Sequence, residues 1–372
     1  MRDQVLITGG AGFIGSHVAD MLLAAGHRVR ALDNLHPQVH GADRARPDYL
    51  SRDVELVVGD IRDRSVVAKA LRGVDAVVHF ASLVGVGQSM YQIEEYTSVN
   101  SVGTAVLLEA LVETPVRRLV VASSMSVYGE GLYRRSDGAL IDRAGRSIER
   151  LRSGDWEVRD ERGEVLAPLA TPESKAPALE SVYALSKYDQ ERLSLMMGRA
   201  YGIPTVALRF FNVYGPRQAL SNPYTGVLAI FAARLLNGRR PLVFEDGLQR
   251  RDFVSVHDVA RACVLSLETT RGDGEIFNVG SGEPETVRQI AVRVASALGR
   301  ADLAPELSGK YRIGDIRHCF ADITRARVML GYEPEVSLDR GVAELSAWLE
   351  GRVAGDRAEG ARAGLEARGL TL

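Results

Sequence analysis

Short apolar runs alternate with segments of helical spacing along the first 125 residues of the chain. Runs rich in Val, Ile and Leu predict buried strands, and apolar residues three and four positions apart predict helices. Their alternation predicts a parallel sheet with helices on both faces, ordered by right-handed crossovers. We therefore expect an α/β fold with a doubly wound Rossmann sheet. The predicted strands are 5–8, 28–33, 54–58, 76–80 and 118–123, and the predicted helices are 12–25, 62–71 and 96–112.

The alternation stops at a charged stretch, 131–178, which is rich in Arg, Asp, Glu, Gly and Pro and carries Trp156. Its composition predicts a solvated loop, and its length leaves a lid or an oligomer contact open. The pattern resumes with a helix at 181–201 and a strand at 205–209. The expected division is a Rossmann domain over 1–180 that includes the stretch, its continuation over 181–210, a smaller C-terminal α/β region over 211–351, and a frayed or disordered tail over 352–372.

Composition limits the partners more than it limits the fold. Of the 372 residues, 46% are apolar and 25% are charged, as in ordinary globular proteins, and the formal net charge is −2. A near-neutral chain lacks the basic surplus with which proteins bind nucleic acids or anionic membranes, so we expect neither partner. The cysteines Cys263 and Cys319 belong to no metal-ligand spacing, so we expect no metal site and a reducing compartment. Without a leader-like start or a membrane-length apolar run, the sequence predicts a cytoplasmic protein.

The sequence TGGAGFIGSH at 8–17 places three glycines between the first predicted strand and the first predicted helix. In this context Gly9 permits a tight turn, Gly12 lets the backbone approach a pyrophosphate, and Gly15 lets the helix pack on the strand. The N-terminus of the helix then faces the anion with its free N–H groups. These residues predict a dinucleotide site.

Asp33 indicates which dinucleotide the site prefers. It ends the second predicted strand about 20 residues after the glycines, where a carboxylate accepts hydrogen bonds from ribose hydroxyls and repels a 2′-phosphate. We therefore expect NAD, although Arg44 and Arg46 in the following loop could still bind a 2′-phosphate. The alternative for Asp33 is a helix or turn cap.

Tyr183 and Lys187 lie one helical turn apart in YALSK, so both face the same side of the predicted helix. A phenol is a poor base at neutral pH, but a nearby ammonium favours the phenolate and lowers its pKa. Such a tyrosine can take the proton of an alcohol while a hydride leaves the same carbon. Taken alone the pair is also compatible with a surface contact.

Further motifs follow the glycines in a fixed order: Gly59-Asp60, HFAS at 79–82, SSMSVYG at 123–129 and YALSK at 183–187. With this set the chain resembles the extended short-chain dehydrogenase/reductase family, and within it the nucleotide-sugar epimerases and dehydratases, over about residues 4–350. The resemblance implies that Tyr183 is the catalytic base, that Lys187 binds the nicotinamide ribose and tunes Tyr183, and that Ser124 holds the substrate oxygen. His79 is expected to be a buried core residue. The contacts to NAD that it implies are Gly9, Gly12, Phe13, Ile14, Gly15, Asp33, Asn34, Asp60, Ile61, Phe80, Ala81, Ser82, Asn100, Lys187 and Phe210.

The segments RFFNVYGPRQ at 209–218 and RRDFVSVHDVA at 250–260 resemble those that form the nucleoside-diphosphate site in this family. The resemblance implies that Asn212 and Arg251 bind the diphosphate, with Arg317 as a second arginine, because a guanidinium can hold two phosphate oxygens at once. Ser124 and Ser126 would contact the sugar. We expect a nucleoside-diphosphate sugar as substrate, with dTDP first and UDP, ADP or GDP as alternatives, and a homodimer through the helices at 96–112 and 181–201.

The residues before VYG separate two reactions of the family. Dehydratases that resemble this chain carry Thr-Asp-Glu there, and both carboxyls serve the elimination of water, whereas this chain has Ser124, Met125 and Ser126. Epimerisation at C4 through a transient 4-keto sugar requires only Tyr183, Ser124 and NAD. We therefore expect an NAD-dependent 4-epimerase. The alternatives are a reductase, decarboxylase or 4,6-dehydratase on the same fold, and, among non-enzymes, a dinucleotide-sensing binding protein.

Overall fold

The computed structural model describes residues 2–219, 226–312, 314–350 and 358–371. Strands and helices alternate through most of this part of the chain. The strands are β1 (Gln4–Thr8), β2 (Arg28–Asp33), β3 (Glu55–Val58), β4 (Ala76–His79), β5 (Arg118–Ser124), β6 (Leu132–Arg134), β7 (Leu140–Ile141), β8 (Ala167–Leu169), β9 (Thr205–Phe210), β10 (Asn212–Tyr214), β11 (Leu242–Val243), β12 (Arg250–Ser255), β13 (Ile276–Val279), β14 (Pro284–Thr286), β15 (Glu306–Leu307) and β16 (His318–Cys319). The helices are α1 (Phe13–Ala24), α2 (Pro37–His40), α3 (Arg64–Ala70), α4 (Val86–Ser89), α5 (Ile93–Tyr96), α6 (Gly103–Glu113), α7 (Ile148–Arg152), α8 (Val182–Tyr201), α9 (Val227–Leu236), α10 (Val256–Glu268), α11 (Val287–Ala297), α12 (Thr324–Leu330), α13 (Leu338–Leu349) and α14 (Ala358–Glu366).

Seven parallel strands form the central sheet in the order β13-β9-β5-β4-β1-β2-β3. The chain leaves β1 toward β2 on one side and later returns to β4 on the other, so the order reverses between β1 and β4. Two apolar cores cover the two faces, one with Val5, Ile7 and Val78 and the other with Leu6 and Val77. The expected doubly wound Rossmann sheet is confirmed, and ligands of such sheets bind at the carboxyl ends of the strands where the order reverses.

The predicted helix at 96–112 consists of two parts. Residues 97–102 form a π-helix, and α6 continues from Gly103. A π-helical turn has i→i+5 hydrogen bonds, is rare, and is frequently found at functional sites. Here it carries Asn100, one of the expected NAD contacts, fully buried toward α8.

The region after β9 forms smaller sheets, β10-β12-β14 with β16 beside β12, and β11-β15. Helices α9, α11 and α13 pack together over Phe231, Ile290 and Leu345, which are buried. This region is α/β in character, as the sequence predicted, and it lies beside the carboxyl ends of the central sheet through the parallel pairing of β10 with β12 directly after β9.

Residues 131–178 are ordered, which corrects the expectation of a solvated loop. They contain the antiparallel sheet β7-β6-β8, helix α7 and a small core of Tyr133, Val158 and Leu166. The two ends of this insertion meet, because the Ala178 N–H donates to the Val127 carbonyl at 2.9 Å. At Gly129, with φ +60°, a Cβ would lie 2.7 Å from the Ala178 carbonyl oxygen. We call this meeting point the clasp.

The expected frayed tail is also partly corrected. Residues 358–371 contain α14 and pack on the body of the protein, while 351–357 and Leu372 lie outside the described residues. Among the helices of the described part of the chain, none has the length and apolar character required to cross a membrane.

Candidate active site

The glycine loop closes tightly between β1 and α1. Gly9 has φ +70°, and a Cβ there would lie 3.0 Å from the backbone nitrogen of Ala81, while a Cβ on Gly15 would lie 2.4 Å from the Gly9 carbonyl oxygen. Gly12 is the N-cap of α1 and provides no side-chain cap, so the first N–H groups of the helix remain available for an anion. The loop therefore fits a pyrophosphate, as its sequence predicted, with Phe13 and Ile14 opening the helix.

Asp33 lies at the end of β2 with its carboxylate turned into this loop. It accepts the Ala11 N–H at 3.0 Å and the Leu35 N–H at 2.9 Å, and it is 8% exposed. The Arg46 guanidinium is held elsewhere, by the backbone carbonyls of Ser51 and Val54. Arg46 is thus engaged by its own loop, and the buried carboxylate of Asp33 fits the ribose of NAD better than the 2′-phosphate of NADP.

Asn34, Asp60 and Ile61 meet next to this loop. The Asn34 amide donates to the Asp60 carboxylate at 3.3 Å, and hydrogen bonds from Arg62 lower the pKa of Asp60 to about 2. Ile61 is buried and fills the space that a side chain at Gly103 would occupy. These residues form a mixed polar and apolar edge beyond β2 and β3, where the resemblance places the adenine.

The segment that follows β4 borders the other side of the loop. Asn100 fixes it, because its amide accepts the Leu83 N–H at 2.7 Å and donates to Ser186 on α8 at 2.9 Å. Phe80 contacts Phe210 at the end of β9, with 6.1 Å between ring centroids. The expected cofactor residues of this segment, Phe80, Ala81 and Ser82, thus lie between the glycine loop and α8.

The Ser124 and Tyr183 hydroxyls, which the resemblance makes the reactive centre, lie close together. Ser124 ends β5, and its oxygen accepts the Ser126 backbone N–H at 3.2 Å and the Ser126 hydroxyl at 2.9 Å. Tyr183 lies in the first turn of α8, whose N-cap Ser181 accepts the Ala184 N–H. Burial raises the pKa of Tyr183 to about 12, and its hydrogen bond with Ser124 acts in the opposite direction.

Lys187 lies one turn after Tyr183, as YALSK predicted, but its ammonium donates to Gln190 at 2.7 Å. Burial lowers the pKa of Lys187 to about 7, and Glu191 partly offsets this effect. Burial thus has the largest effect on the pKa of both groups, and the expectation that Lys187 lowers the pKa of the phenol stays a prediction. His79 contacts Thr8 and Thr104 in the core, and burial lowers its pKa to about 3, as expected for a core histidine.

A buried ion pair supports the reactive centre from behind. Glu191, two turns after Tyr183 on α8, accepts two hydrogen bonds from Arg209 at 2.7 and 2.8 Å and one from Ser123 at 2.7 Å. Ser123 precedes Ser124, and Arg209 is paired with Ser123 in the β5-β9 register. The pair therefore fixes α8 to the two strands from which the reactive hydroxyl and Phe210 extend.

Asn212 and Arg251 lie on the neighbouring parallel strands β10 and β12. The Asn212 side-chain oxygen is buried and has no hydrogen-bond partner in the structure, as expected of a group that binds a ligand. Arg251 donates to the carbonyls of Ile316 and of Arg317, the latter at 2.9 Å. Both residues therefore lie in the same small sheet, and their binding of a diphosphate stays a prediction.

Arg317 does not have the position expected of a diphosphate ligand. Its side chain is 0% exposed, and its guanidinium donates to Glu157 at 2.5 Å, to Asp246 at 2.7 and 2.9 Å and to Glu245 at 3.1 Å. Three carboxylates neutralise its charge, and no N–H group is left for phosphate. Because Glu157 belongs to the insertion, Arg317 instead joins the insertion to the C-terminal region.

The same segment carries a second arginine, which the sequence analysis did not single out. Arg312, whose side chain is 41% exposed, lies with its guanidinium 4.8 Å from the ring centroid of Phe244 and pairs with Asp315 at 2.9 Å. Burial raises the pKa of Asp315, but the charges of Arg312, Arg251 and Arg146 outweigh this effect and lower it, so these guanidinium groups lie near the carboxylate. The motif GDIRH contains Arg317, and the sequence gave no reason to prefer Arg312 as a diphosphate ligand. The two arginines differ in their partners, which only the structure shows.

A Rossmann sheet with an NAD-type loop and a Ser-Tyr-Lys set at the carboxyl ends of its strands defines an NAD-dependent enzyme. The chain belongs to the NAD dependent epimerase/dehydratase family, whose model matches residues 5–142 and 163–280. The unmatched interval, 143–162, lies inside the insertion.

Relatives of known name cover nearly the whole chain. A dTDP-L-rhamnose 4-epimerase of Burkholderia thailandensis is 36% identical over 351 residues, which are 93% of this chain and 94% of that protein. The crystal structure of a UDP-glucose 4-epimerase of Thermotoga maritima with UDP-glucose has a TM-score of 0.76 at 30% identity and covers 93% of this chain and 98% of that one. That of a Thermus thermophilus UDP-glucose 4-epimerase in complex with NAD has a TM-score of 0.74 at 32% identity, covering 94% and 100%. Relatives named as a decarboxylase and as dehydratases also match, so the family allows more than one reaction.

Proposed function

We propose that the protein epimerises a nucleoside-diphosphate sugar at C4 through a transient 4-keto sugar. The observation that carries the proposal is the Ser124 hydroxyl, which accepts from Ser126 and lies close to the buried Tyr183 hydroxyl, with Lys187 one turn further on α8. NAD, when bound, supplies a reversible hydride acceptor. Tyr183 takes the proton of the C4 hydroxyl and returns it to the C4 oxygen after the sugar has turned its other face, while Ser124 holds that oxygen.

The two residues after Ser124 favour epimerisation over dehydration. Met125 is 8% exposed and packs in the apolar core, and a thioether can neither donate nor accept the proton that elimination requires. Ser126 has a hydroxyl with a far higher pKa than a carboxylic acid, and it donates to Ser124. The acid and base of a 4,6-dehydratase therefore have no counterpart at these positions.

Two guanidinium groups and an amide support binding of a diphosphate. Arg312 pairs with Asp315, the charge of Arg251 acts on the same carboxylate, and the amide oxygen of Asn212 is free of partners in the structure. Phe244 provides an aromatic face beside Arg312 on which a base could stack. The substrate proposed first carries dTDP, following the Burkholderia relative, with UDP next, following the Thermotoga structure.

A homodimer through the π-helix, α6 and α8 is proposed from the apolar residues that these elements expose. Val102 is 50% exposed, Leu185 54% and Met196 50%. Large apolar side chains at helical spacing on the outer face of two neighbouring helices are typical of a subunit interface. A cytoplasmic location is also proposed, because Cys263 and Cys319 are both buried as free thiols.

The test is turnover of dTDP, UDP, ADP and GDP hexoses in deuterated buffer, followed by proton NMR and mass spectrometry. A C4-inverted isomer of unchanged mass without deuterium supports the proposal and names the substrate. Tyr183→Phe should lower kcat by about 10²- to 10⁴-fold with NAD still bound, and Tyr188→Phe on the same helix is the matched control.

Other outcomes would replace the proposal. Loss of water, or deuterium at C3 or C5, would identify elimination or enolisation, whereas release of carbon dioxide would identify a decarboxylase and stoichiometric NADH a net redox enzyme. Bound NAD without turnover of any sugar nucleotide would favour a dinucleotide-sensing protein.

A further inference from the structure

The C-terminal segment 358–371, here called the strap, contacts two separate parts of the protein. It consists of α14, a turn at Gly369 with φ +69°, and an extended end at Thr371. The backbone of Leu370 donates to the Leu365 carbonyl at 3.0 Å, which folds the end back along the helix. One side of the strap lies on the Rossmann domain and the other on the C-terminal region.

On the Rossmann side, Leu365 is 6% exposed and fills the place of a missing side chain, because a Cβ on Gly87 would lie 3.3 Å from its methyl carbon. The Arg368 guanidinium lies 4.4 Å from the ring centroid of Tyr91, as in a cation–π pair. Gly87 and Tyr91 belong to the segment that follows the NAD-lining residues 80–82. The strap therefore rests on the border of the proposed NAD site.

The same segment also holds the catalytic helix. Ser89 is fully buried, and its hydroxyl accepts the backbone N–H of Tyr183 at 3.0 Å. Gly87, on which Leu365 is seated, precedes Ser89 by two residues in α4. Leu365 therefore contacts a residue only two positions before Ser89, which holds the backbone of Tyr183.

On the other side, the strap reaches the segment that carries the proposed diphosphate ligands. Glu366 pairs with Lys310 at 2.9 Å, and Thr371 forms an antiparallel backbone bridge with Arg312. The bridge holds the backbone of Arg312 while its guanidinium lies on Phe244. The strap therefore connects the segment that holds Tyr183 with the segment that carries Arg312.

We propose that the strap forms a wall of the substrate cleft, positions Arg312 for the nucleoside diphosphate and retains the sugar nucleotide while the keto sugar exists. This inference rests on the proposed function, since a 4-keto sugar released before hydride returns would be lost from an epimerisation cycle. The strap acts on the nucleotide sugar and leaves the NAD pyrophosphate loop untouched, because its contacts are with 87–91 and 310–312.

The experiment compares the full chain with a chain ending at residue 357 and with Leu365→Asp. The probes are dTDP and UDP, whose affinities are measured by calorimetry and whose release is measured by stopped flow. We expect each altered chain to bind the preferred nucleotide at least about tenfold more weakly and to release it faster, with unchanged affinity for NAD. Trypsin should cleave after Arg362 and Arg368 more slowly when that nucleotide is bound to the full chain.

Matched variants keep the test from measuring general damage. Ala363→Asp adds the same negative charge as Leu365→Asp but on the exposed face of α14, and it should bind nucleotide like the parent. Leu365→Met, an apolar replacement at the buried position, should keep the parent's nucleotide affinity. With the sugar substrate, the altered strap should raise KM more than it lowers kcat, and bound NADH should accumulate as keto sugar escapes.

Three outcomes would overturn the proposal. Equal affinity and release in the truncated and full chains would remove the role of the strap and leave the epimerase intact. Tighter binding by the truncated chain would mean that the strap blocks the cleft. Absence of dTDP and UDP binding to the full chain, together with no turnover of any of the four kinds of nucleotide sugar, would overturn the proposed function, and the role of the strap with it.

Discussion

Replacing Arg317 by leucine tests whether this residue joins the insertion to the C-terminal region or binds a diphosphate. The change removes all donors from a guanidinium that is 0% exposed and leaves Glu245, 1% exposed, without one of its two arginines. Removing one partner of a buried pair costs about 3–5 kcal/mol. Glu157 and Asp246 are 35% and 31% exposed, so water screens their charge and each adds at most ~1 kcal/mol.

The assay is hydrogen exchange of the insertion together with urea unfolding. Because the lost contacts join Glu157 to the C-terminal region, residues 131–178 should lose protection first. Arg135→Leu is the matched control, since Arg135 lies in the insertion but pairs with Glu161 and Asp137, which are 72% and 50% exposed. Its loss should cost no more than ~1 kcal/mol.

The pH dependence gives a second readout with a fixed sign. Hydrogen bonds from His318 and from Arg317 lower the pKa of Glu157 to about 2, below its ordinary 4.5. A carboxylate with a lowered folded pKa stabilises the protein above its unfolded pKa, and this contribution is lost as the pH falls through the folded one. The difference between the parent and Arg317→Leu should therefore be largest near neutrality and shrink below pH 4.5.

Two results would refute the reasoning. If Arg317→Leu unfolds like Arg135→Leu, the buried network contributes little. If instead the insertion keeps its protection while affinity for dTDP or UDP disappears, Arg317 is a diphosphate ligand after all.

Three further substitutions test the cofactor loop and the catalytic helix. Gly15→Ala would place a methyl group 2.4 Å from the Gly9 carbonyl oxygen, so NAD affinity should fall at least about tenfold in a fluorescence titration; unchanged affinity would contradict the tight loop. Asp33→Ala should weaken NAD binding by about 1–3 kcal/mol and narrow the preference over NADP, and equal preference in the parent would refute the role of Asp33. Lys187→Met tests whether the buried charge of Lys187 destabilises the fold. Burial lowers the pKa of Lys187 from 10.5 to about 7, so this loss of unfolding free energy is fully present below pH 7 and disappears above pH 10.5. In urea unfolding the variant should be more stable than the parent by about 4 kcal/mol at neutral pH, and a difference that does not change with pH would contradict this.

The Rossmann half of the fold could be predicted from the sequence because its parallel strands are buried on both faces. Such strands are continuous apolar runs with turn residues at their ends, and β2 was predicted at its observed bounds, 28–33. The glycine loop, Asp33 and the Tyr183–Lys187 spacing follow from local geometry alone. Their positions therefore needed no knowledge of distant contacts.

The insertion and the strap could not be predicted in the same way. Order at 131–178 depends on partners far along the chain, such as Arg317 with Glu157 and Arg146 with Glu245. A polar stretch carries no periodic signal for ion pairs of this kind, so its composition indicated a loop. Likewise, the pKa of Tyr183 depends on burial, which the YALSK spacing does not report.

Because of the clasp between Val127 and Ala178, the distance between Ser124 and Tyr183 does not depend on the length of the insertion. Ser124 comes before the clasp and Tyr183 comes after it, so the backbone bond that closes the clasp, together with β5 and α8, sets their separation. Between ends held this close, doubling the number of residues adds only about 0.6 kcal/mol of closure entropy. Evolution, or a protein engineer, can therefore exchange the segment within the clasp for a shorter or longer module and give the same catalyst a new outer surface.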